Sequence, residues 1–427
     1  MSAVVTNHHC LDDFISSGAL KIQNGFPCGN WNDKGVGVLH LRPFNVTDGG
    51  QIDLSSAKFI ETEKKHDNYL LRDGDVIFNN TNSEALVGKT AYWARSENAV
   101  LSNHMTILRV LDPEAMCGQF LAFYLLLKWY DGHFHAICQR HVNQASVGKD
   151  RLRATVLPPI ELLEQKKIAH ILSTVQRAIE AQERIIQTIT EPKKTLMHKL
   201  FTEGLRNEPQ KQTEIGPAPE SWEVVELGKF FQIKHGFAFD GQFFEPSGDY
   251  ILMTHGHFYE EGGFRDQGGK TKYFTGEIPK DYILAKDDLV VAMTEQTSGL
   301  LGSAAFVPED DRYLHNQRLG LIADLDGNRL SKRFLFNVFN LPHLRLEVAK
   351  TSTGSKVKHT SPTKLRAVKV GIPTTLEEQE EIATALSTAQ QKIDLASNKK
   401  TQLQDLFRTL LYELMTAKTR VHELEIS

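Results

Sequence analysis

Four short strings carry residue types that could do chemistry. A Pro-Pro turn can present an amino group for methyl transfer, but it needs Asn, Asp or Ser ahead of the prolines, and Leu157-Pro158-Pro159-Ile160 offers only Leu157. Gly88-Lys89-Thr90 has the end of a phosphate-binding loop, yet the glycine required five residues earlier is Ser83. The matching string in the second half, Gly302-Ser303-Ala304, has no lysine, so a structural turn is expected at both places. Asp53 with Glu63-x-Lys65 could serve a nuclease, but no Pro-Asp accompanies them. His255-x-His257 supplies two potential metal ligands without an evident third, which predicts polar surface or core histidines and no metal. Gly-x-Ser-x-Gly, His-Glu-x-x-His and Gly-x-Gly-x-x-Gly are all missing from the sequence. These residues point to a binding protein and not to an enzyme.

Binding chemistry is better represented. Between Arg345 and Lys369 lie seven Lys and Arg against one acid, Glu347, on a chain whose net charge is −4. The centre of that stretch, Ser352-Thr353-Gly354-Ser355-Lys356 with Lys358 close behind, is a small polar loop suited to phosphate oxygens. The corresponding stretch of the first half holds Arg140, His141, Gln144 and Lys149. A second polar cluster, Asn79, Asn80 and Asn82 with Thr81 and Ser83, aligns with Thr294-Glu295-Gln296-Thr297-Ser298. His104 and the pair Gln317-Arg318 complete the candidates. Asn and Gln can read adenine edges, Arg reads guanine, and Glu accepts from cytosine. Solvated loops and turns are the plain alternative for all of these.

The elements that position these residues repeat at about 214 residues. Val156–Ile179 and Val370–Ile393 share 12 of 24 positions without a gap, where average composition predicts about one or two. Upstream the likeness weakens: Ile22-x-x-Gly25-Phe26 matches Ile233-x-x-Gly236-Phe237, Asp75 matches Asp288, and Asn103 matches Asn316. Each half is therefore a divergent unit of about 150 residues followed by a similar segment of about 45. Steps of four and three visit Ile168, Leu172, Val175, Ile179, Gln182, Ile186, Ile189, Lys193, Leu196 and Leu200 in the first segment. In the second they visit Ile382, Leu386, Ala389, Ile393, Ala396, Lys400, Leu403, Phe407, Leu410 and Leu414. Such a period predicts two long helices with coiled-coil seams, antiparallel if they pack on each other. Thr375 and Glu378 form a capping box, and Pro192 predicts a kink or break in the first helix.

The divergent units mix strands (75–78, 105–110, 288–291, 319–322) with helices (120–129, 333–339). The fold class is α+β. Two mixed units, 1–157 and 222–371, alternate with helical regions, 158–205 and 372–427, and a proline-rich linker spans 206–221. The 427 residues are 41% apolar and 24% charged, which excludes global disorder. The N-terminus shows no signal peptide, and the longest apolar run, Phe120–Leu127, is too short to span a bilayer. Cys10, Cys28, Cys117 and Cys138 form no Cys-x-x-Cys, which suits a reducing cytoplasm.

In its duplicated order the chain resembles the specificity subunits of type I restriction–modification systems. The resemblance rests on Pro159-Ile160-x4-Gln165-x2-Ile168 and on Ile372-Pro373-x3-Glu377-Glu378-Gln379-x2-Ile382. It rests further on the junction 213–223 and on Gly74–Phe78 and Leu314–Gly320, and it covers nearly the whole chain. The first unit lacks the Trp222…Leu227-Gly228 lead-in of the second. The resemblance implies two target recognition domains, each reading one half of a split asymmetric DNA target across an unread spacer set by the helices. It implies two modification subunits carrying S-adenosylmethionine, and restriction subunits using ATP and Mg, with no cofactor on this chain. A two-lobed coiled-coil adaptor that binds proteins is the rival expectation.

Overall fold

The computed structural model describes residues 9–28, 30–295, 299–355 and 357–421. The chain divides into two compact units, Met1–Ile185 with Ala396–Ser427, and Ile186–Leu395. Two long helices, Leu162–Glu203 and Leu376–Met415, each give one part to each unit. Within the first unit the two parts run antiparallel. Glu183 pairs with Lys400 at 2.9 Å, while Glu164, further back, pairs with Arg420 at 2.7 Å. The second unit repeats this, with Lys193 donating to Gln390 and the Leu205 amide to Glu378. No seam position is exposed, because every fourth and third side chain faces the partner helix.

Two details differ from expectation. The first helix runs unbroken through Pro192, since one lost backbone bond is outweighed where Lys193 and Leu196 remain half-buried on both sides of a turn. The capping box is only half formed. The Glu378 amide donates to Thr375 Oγ1 at 3.4 Å, but the Glu378 carboxylate accepts instead from Trp222 Nε1 and the Leu205 amide.

The units share one plan. The first holds a four-stranded antiparallel sheet in the order Leu20–Asn24, Thr106–Val110, Val76–Phe78, Thr90–Tyr92. The second repeats it as Gln232–His235, Leu319–Ala323, Leu289–Ala292, Ala304–Phe306. Beside it lies a second sheet, three-stranded in the first unit and five-stranded in the second, with one parallel pair in each, Val38–Leu41 on Ala99–Leu101 and Tyr250–Met253 on Tyr313–His315. Gly25 and Gly236 occupy equivalent corners. A Cβ there would stand 2.0 Å from the carbonyl oxygen of Ser102 or Asn316, so only glycine fits. This places Ser102, and not Asn103, opposite Asn316.

A helix covers each four-stranded sheet. Gly118–Tyr130 has every side chain from Phe120 to Leu127 buried, because the sheet takes one face and the long helices the other. Lys332–Phe339 does the same against Leu200, Ile382 and Leu386. Gln165 and Gln379 lock these layers together. Gln165 Oε1 accepts from the Cys117 amide and its Nε2 donates to Ile160 O. Gln379 Oε1 accepts from the Ser331 amide and its Nε2 donates to Pro373 O and Arg329 O. Each glutamine thus ties the start of a long helix to the start of the covering helix, satisfying groups that burial would otherwise orphan.

The linker is not extended chain. Gln210–Thr213 and Gly216–Pro219 form a two-stranded hairpin across the two-residue turn Glu214-Ile215, and Gly216, the first residue after it, has a positive φ. Glu223–Glu226 then pairs with Lys369–Ile372. The first unit has a shortened version, with Cys10 bridging Val156 and the Leu157 amide donating to His9.

Candidate nucleic-acid interface

The two polar segments singled out in each half are neighbours in space. Thr81–Asn82 pairs with Ala145–Ser146, which turns back onto Gln139–Arg140. Thr294–Glu295 pairs with Lys358–His359. Each ribbon is tied to the turn that follows the parallel pair: the Thr81 amide donates to His104 O, and the Met293 amide to Arg318 O. The returning segments are fixed alike, Val147 N to Asn80 O and Thr360 N to Met293 O. The main-chain frame is therefore one, while the turns present Ser102-Asn103-His104 in one unit and Asn316-Gln317-Arg318 in the other.

In the first unit Asn82, His104 and Gln144 line a common cleft of about 660 Å³. Gln144 and His141 are exposed, and the His141 ring Nε2 lies 3.1 Å from Ser146 Oγ. Arg140 is exposed but paired with Glu84 at 2.6 Å, and Lys149 is exposed at the start of a short helix. Asn79 is a correction. It is 0% exposed, and its amide donates to Pro43 O, so it braces the fold and cannot reach a base. Asn80 is half-buried, with a buried, unpartnered Oδ1. The cleft also contains residues that the motif search passed over, Trp31, His40 and Arg42, which form no string with a recognisable spacing.

In the second unit Gln317, Arg318, Thr353 and Ser355 are exposed. Ser352 turns inward to Ala349 O at 2.6 Å. Gln296 and Lys356 lie outside the described residues. Glu295 is the second correction. It is 4% exposed, and its Oε2 accepts from the amides of Gly299, Leu300 and Leu301 at 2.9–3.0 Å. Lys358 stands 3.7 Å from the same carboxylate, so its charge is largely matched. A carboxylate so engaged organises a loop and cannot accept from cytosine. Glu295→Ala should cost the second unit on the order of 3 kcal/mol, since charged hydrogen bonds are lost and buried amides left unpaired. Hydrogen exchange at Leu289–Ala292 reads this loss. An Ala variant with unchanged protection and altered base preference would restore the reading role.

The basic stretch does not make one patch. Arg345 is half-buried and donates to the carbonyls of Leu301, Glu260 and Gly299. Lys350 pairs with Glu347, Lys364 donates to Thr351 O, Arg366 to Gly228 O, and Lys369 pairs with Glu214. These cations are engaged by carbonyls and acids of the fold, so most serve it.

The strings tested for catalysis have structural duties. Gly88 takes a left-handed turn against the Phe134 ring, as Gly302 does against Arg345 and Val348. Lys89 pairs with Asp48 and sits 5.3 Å from the Trp129 ring centroid. Asp53 caps Ser55. His257 accepts from the Thr254 amide, and burial pushes its pKa down to about 4. Among the described residues no group of three His, Cys, Asp or Glu could hold a metal ion, and no helix is long and apolar enough to cross a membrane.

Two units with one main-chain frame, unlike exposed polar side chains and shared long helices define a duplicated binding protein. Comparison with known proteins agrees. Residues 45–191 and 219–405 match the type I restriction modification DNA specificity domain. A Methanocaldococcus jannaschii protein named for the MjaX type I restriction enzyme specificity subunit is 27% identical over 94% of this chain and 91% of its own length. The MjaVIII specificity subunit of the same organism is 29% identical over 63% of this chain and 62% of its own. The S subunit of a type I restriction–modification system from M. genitalium shares the fold, with a TM-score of 0.63 and 14% identity over 97% of this chain and 98% of that one. The chain belongs to the type I restriction–modification specificity family, and its function is DNA sequence recognition. This displaces the adaptor reading.

Proposed function

We propose that each unit reads one half of a bipartite, asymmetric DNA sequence and that the paired long helices set the unread spacer. The observation that carries this is the shared frame with different side chains at the turn, Asn103-His104 against Gln317-Arg318. Two modification subunits dock on the chain and supply S-adenosylmethionine and methyl transfer. Restriction subunits supply ATP- and Mg-dependent translocation and cleavage. The chain itself holds no cofactor, catalyses no step and works in the cytoplasm. Phosphate contacts position the complex, and base-edge contacts specify the sequence.

The test is the methylated motif in cells that carry this chain with its modification subunits. Arg318→Ala should relax one base pair of the second unit's half-site by about 1–3 kcal/mol and leave the other half-site and the spacer unchanged. Relaxation in both half-sites, or a contiguous motif, would refute the division of labour.

A further inference from the structure

The first unit's cleft holds a cation without an anion. Arg42 follows the strand Val38–Leu41, and its guanidinium carbon lies 5.0 Å from the centroid of the Trp31 ring. Trp31 is 46% exposed. Among the described residues no carboxylate pairs with Arg42, and its buried Nε has no hydrogen-bond partner. Lys58 also sits over Trp31, at 4.2 Å, but it has Asp33 at 3.9 Å. Lys89, also in the cleft, has Asp48.

Two further groups in the same cleft lack partners. His40 is 1% exposed, and neither ring nitrogen has a hydrogen-bond partner. Burial, and next the Arg42 charge, push its pKa down to about 4, so the ring is neutral. The buried Ser102 Oγ is also unpartnered. Buried polar atoms without partners are uncommon, and three residues with such atoms around one opening set this cleft apart from the paired polar groups nearby.

Resting on the bipartite reading above, we infer that Arg42, held over the Trp31 ring, is the specificity-determining residue for a guanine in the first unit's half-site. A guanidinium stacked on an indole has its plane fixed and its in-plane N–H fork preorganised. That fork matches guanine O6 and N7, the commonest specific contact. Its neighbours in the cleft are Asn82, Asn103 and Gln144, hydrogen-bonding amides and not further free cations, which suits base edges better than phosphate.

The second unit has no such group at this place. Arg42 and Thr254 occupy the same position, each leading a short 3-10 helix whose third residue, Asn45 or His257, accepts from the leading amide. Thr254 Oγ1 is engaged by Gln267 Nε2 at 3.0 Å. The guanine contact therefore belongs to one half-site only.

The test uses Arg42→Ala, Arg42→Lys and Trp31→Ala in the complex with the modification subunits. The readouts are the methylated motif in cells and competition binding with singly substituted duplexes. All three variants should lose discrimination at one and the same guanine, by about five- to a hundred-fold. The other half-site and the spacer should stay unchanged, and Arg42→Lys should keep the salt dependence of binding. Uniform weakening on all duplexes in Arg42→Ala, restored by Arg42→Lys, identifies a phosphate contact and overturns the inference. So does an unaltered motif in all three variants, or a bipartite motif without guanine in the affected half. If the unsubstituted complex marks no bipartite sequence, the reading of two half-sites falls, and this inference with it.

Discussion

Asp75→Ala should cost the first unit about 3–5 kcal/mol, while Asp288→Ala at the equivalent position should cost the second only about 1 kcal/mol. Asp75 is 1% exposed, and its two oxygens accept from Arg109 Nε and Nη2, both at 2.6 Å. It also accepts from the Arg72 amide at 2.7 Å, and Arg109 donates further to Leu70 O. Truncating Asp75 leaves an uncompensated cation in the wall of the core sheet, which is the expensive way to break a buried pair. Among the described residues Asp288 has no such cation: it accepts from the Ala285 amide at 3.0 Å, and sheet register places Ala323 where the first unit has Arg109. Hydrogen exchange resolves the two units, which a single melting curve of the whole chain does not. Protection at Val76–Phe78 should fall steeply in Asp75→Ala, whereas protection at Leu289–Ala292 should fall little in Asp288→Ala. Adding Arg109→Met to Asp75→Ala should recover much of the loss, since the cation is then gone. Equal losses in both units, or no recovery, would contradict this account.

The sequence match of Asp75 with Asp288 thus located one frame position and missed that only one copy anchors an ion pair. The same division runs through the molecule. The seam from Ile168 to Leu200 and from Ile382 to Leu414 was readable because a helix imposes its period on every third and fourth residue. Gly25 and Gly236 stood out because a backbone carbonyl leaves no room for another residue. The identities at Gln165 and Gln379 were visible, but their task was not, since their partners, Cys117 and Ser331, lie about 48 residues earlier in the chain.

The interface was less legible. Asn79 and Asn82 look alike in sequence, yet one is sealed under Pro43 and the other borders the cleft. Ribbon strands of two residues have no alternation to detect, so the neighbourhood of residues 81–82 with 145–146 could not be foreseen. The cations from Arg345 to Lys369 form a cluster in sequence, but most of those described are taken up by carbonyls and acids of the fold, which no sequence pattern shows. Arg42 shows the converse, a lone arginine whose significance depends on Trp31 and on having no acid beside it.

The long helices carry the last expectation. Seven residues inserted between Thr188 and Ile189 should lengthen the unread spacer by up to about three base pairs and leave both half-sites intact. A heptad adds about 10 Å of helix at 1.5 Å per residue, and duplex DNA rises about 3.4 Å per base pair. Seven residues return the seam to within about 20° of its former phase. Leu196 and Leu200 then still lie on the same face of the first helix as Ile168 to Ile179, the face that packs against the second helix. An insertion of three or four residues puts a stammer or stutter in the seam instead, and it should lower the yield of assembled complex. The second helix gains no residues, so one heptad of the first faces no partner, and three base pairs is an upper bound. The side chains proposed to read bases lie on ribbons and turns outside residues 162–203, which is why the half-sites should not change. The measurement is the methylated motif in cells carrying the insertion. An active complex with its original spacer would show that the helices do not set the distance, and an altered half-site would show that base contacts extend onto them.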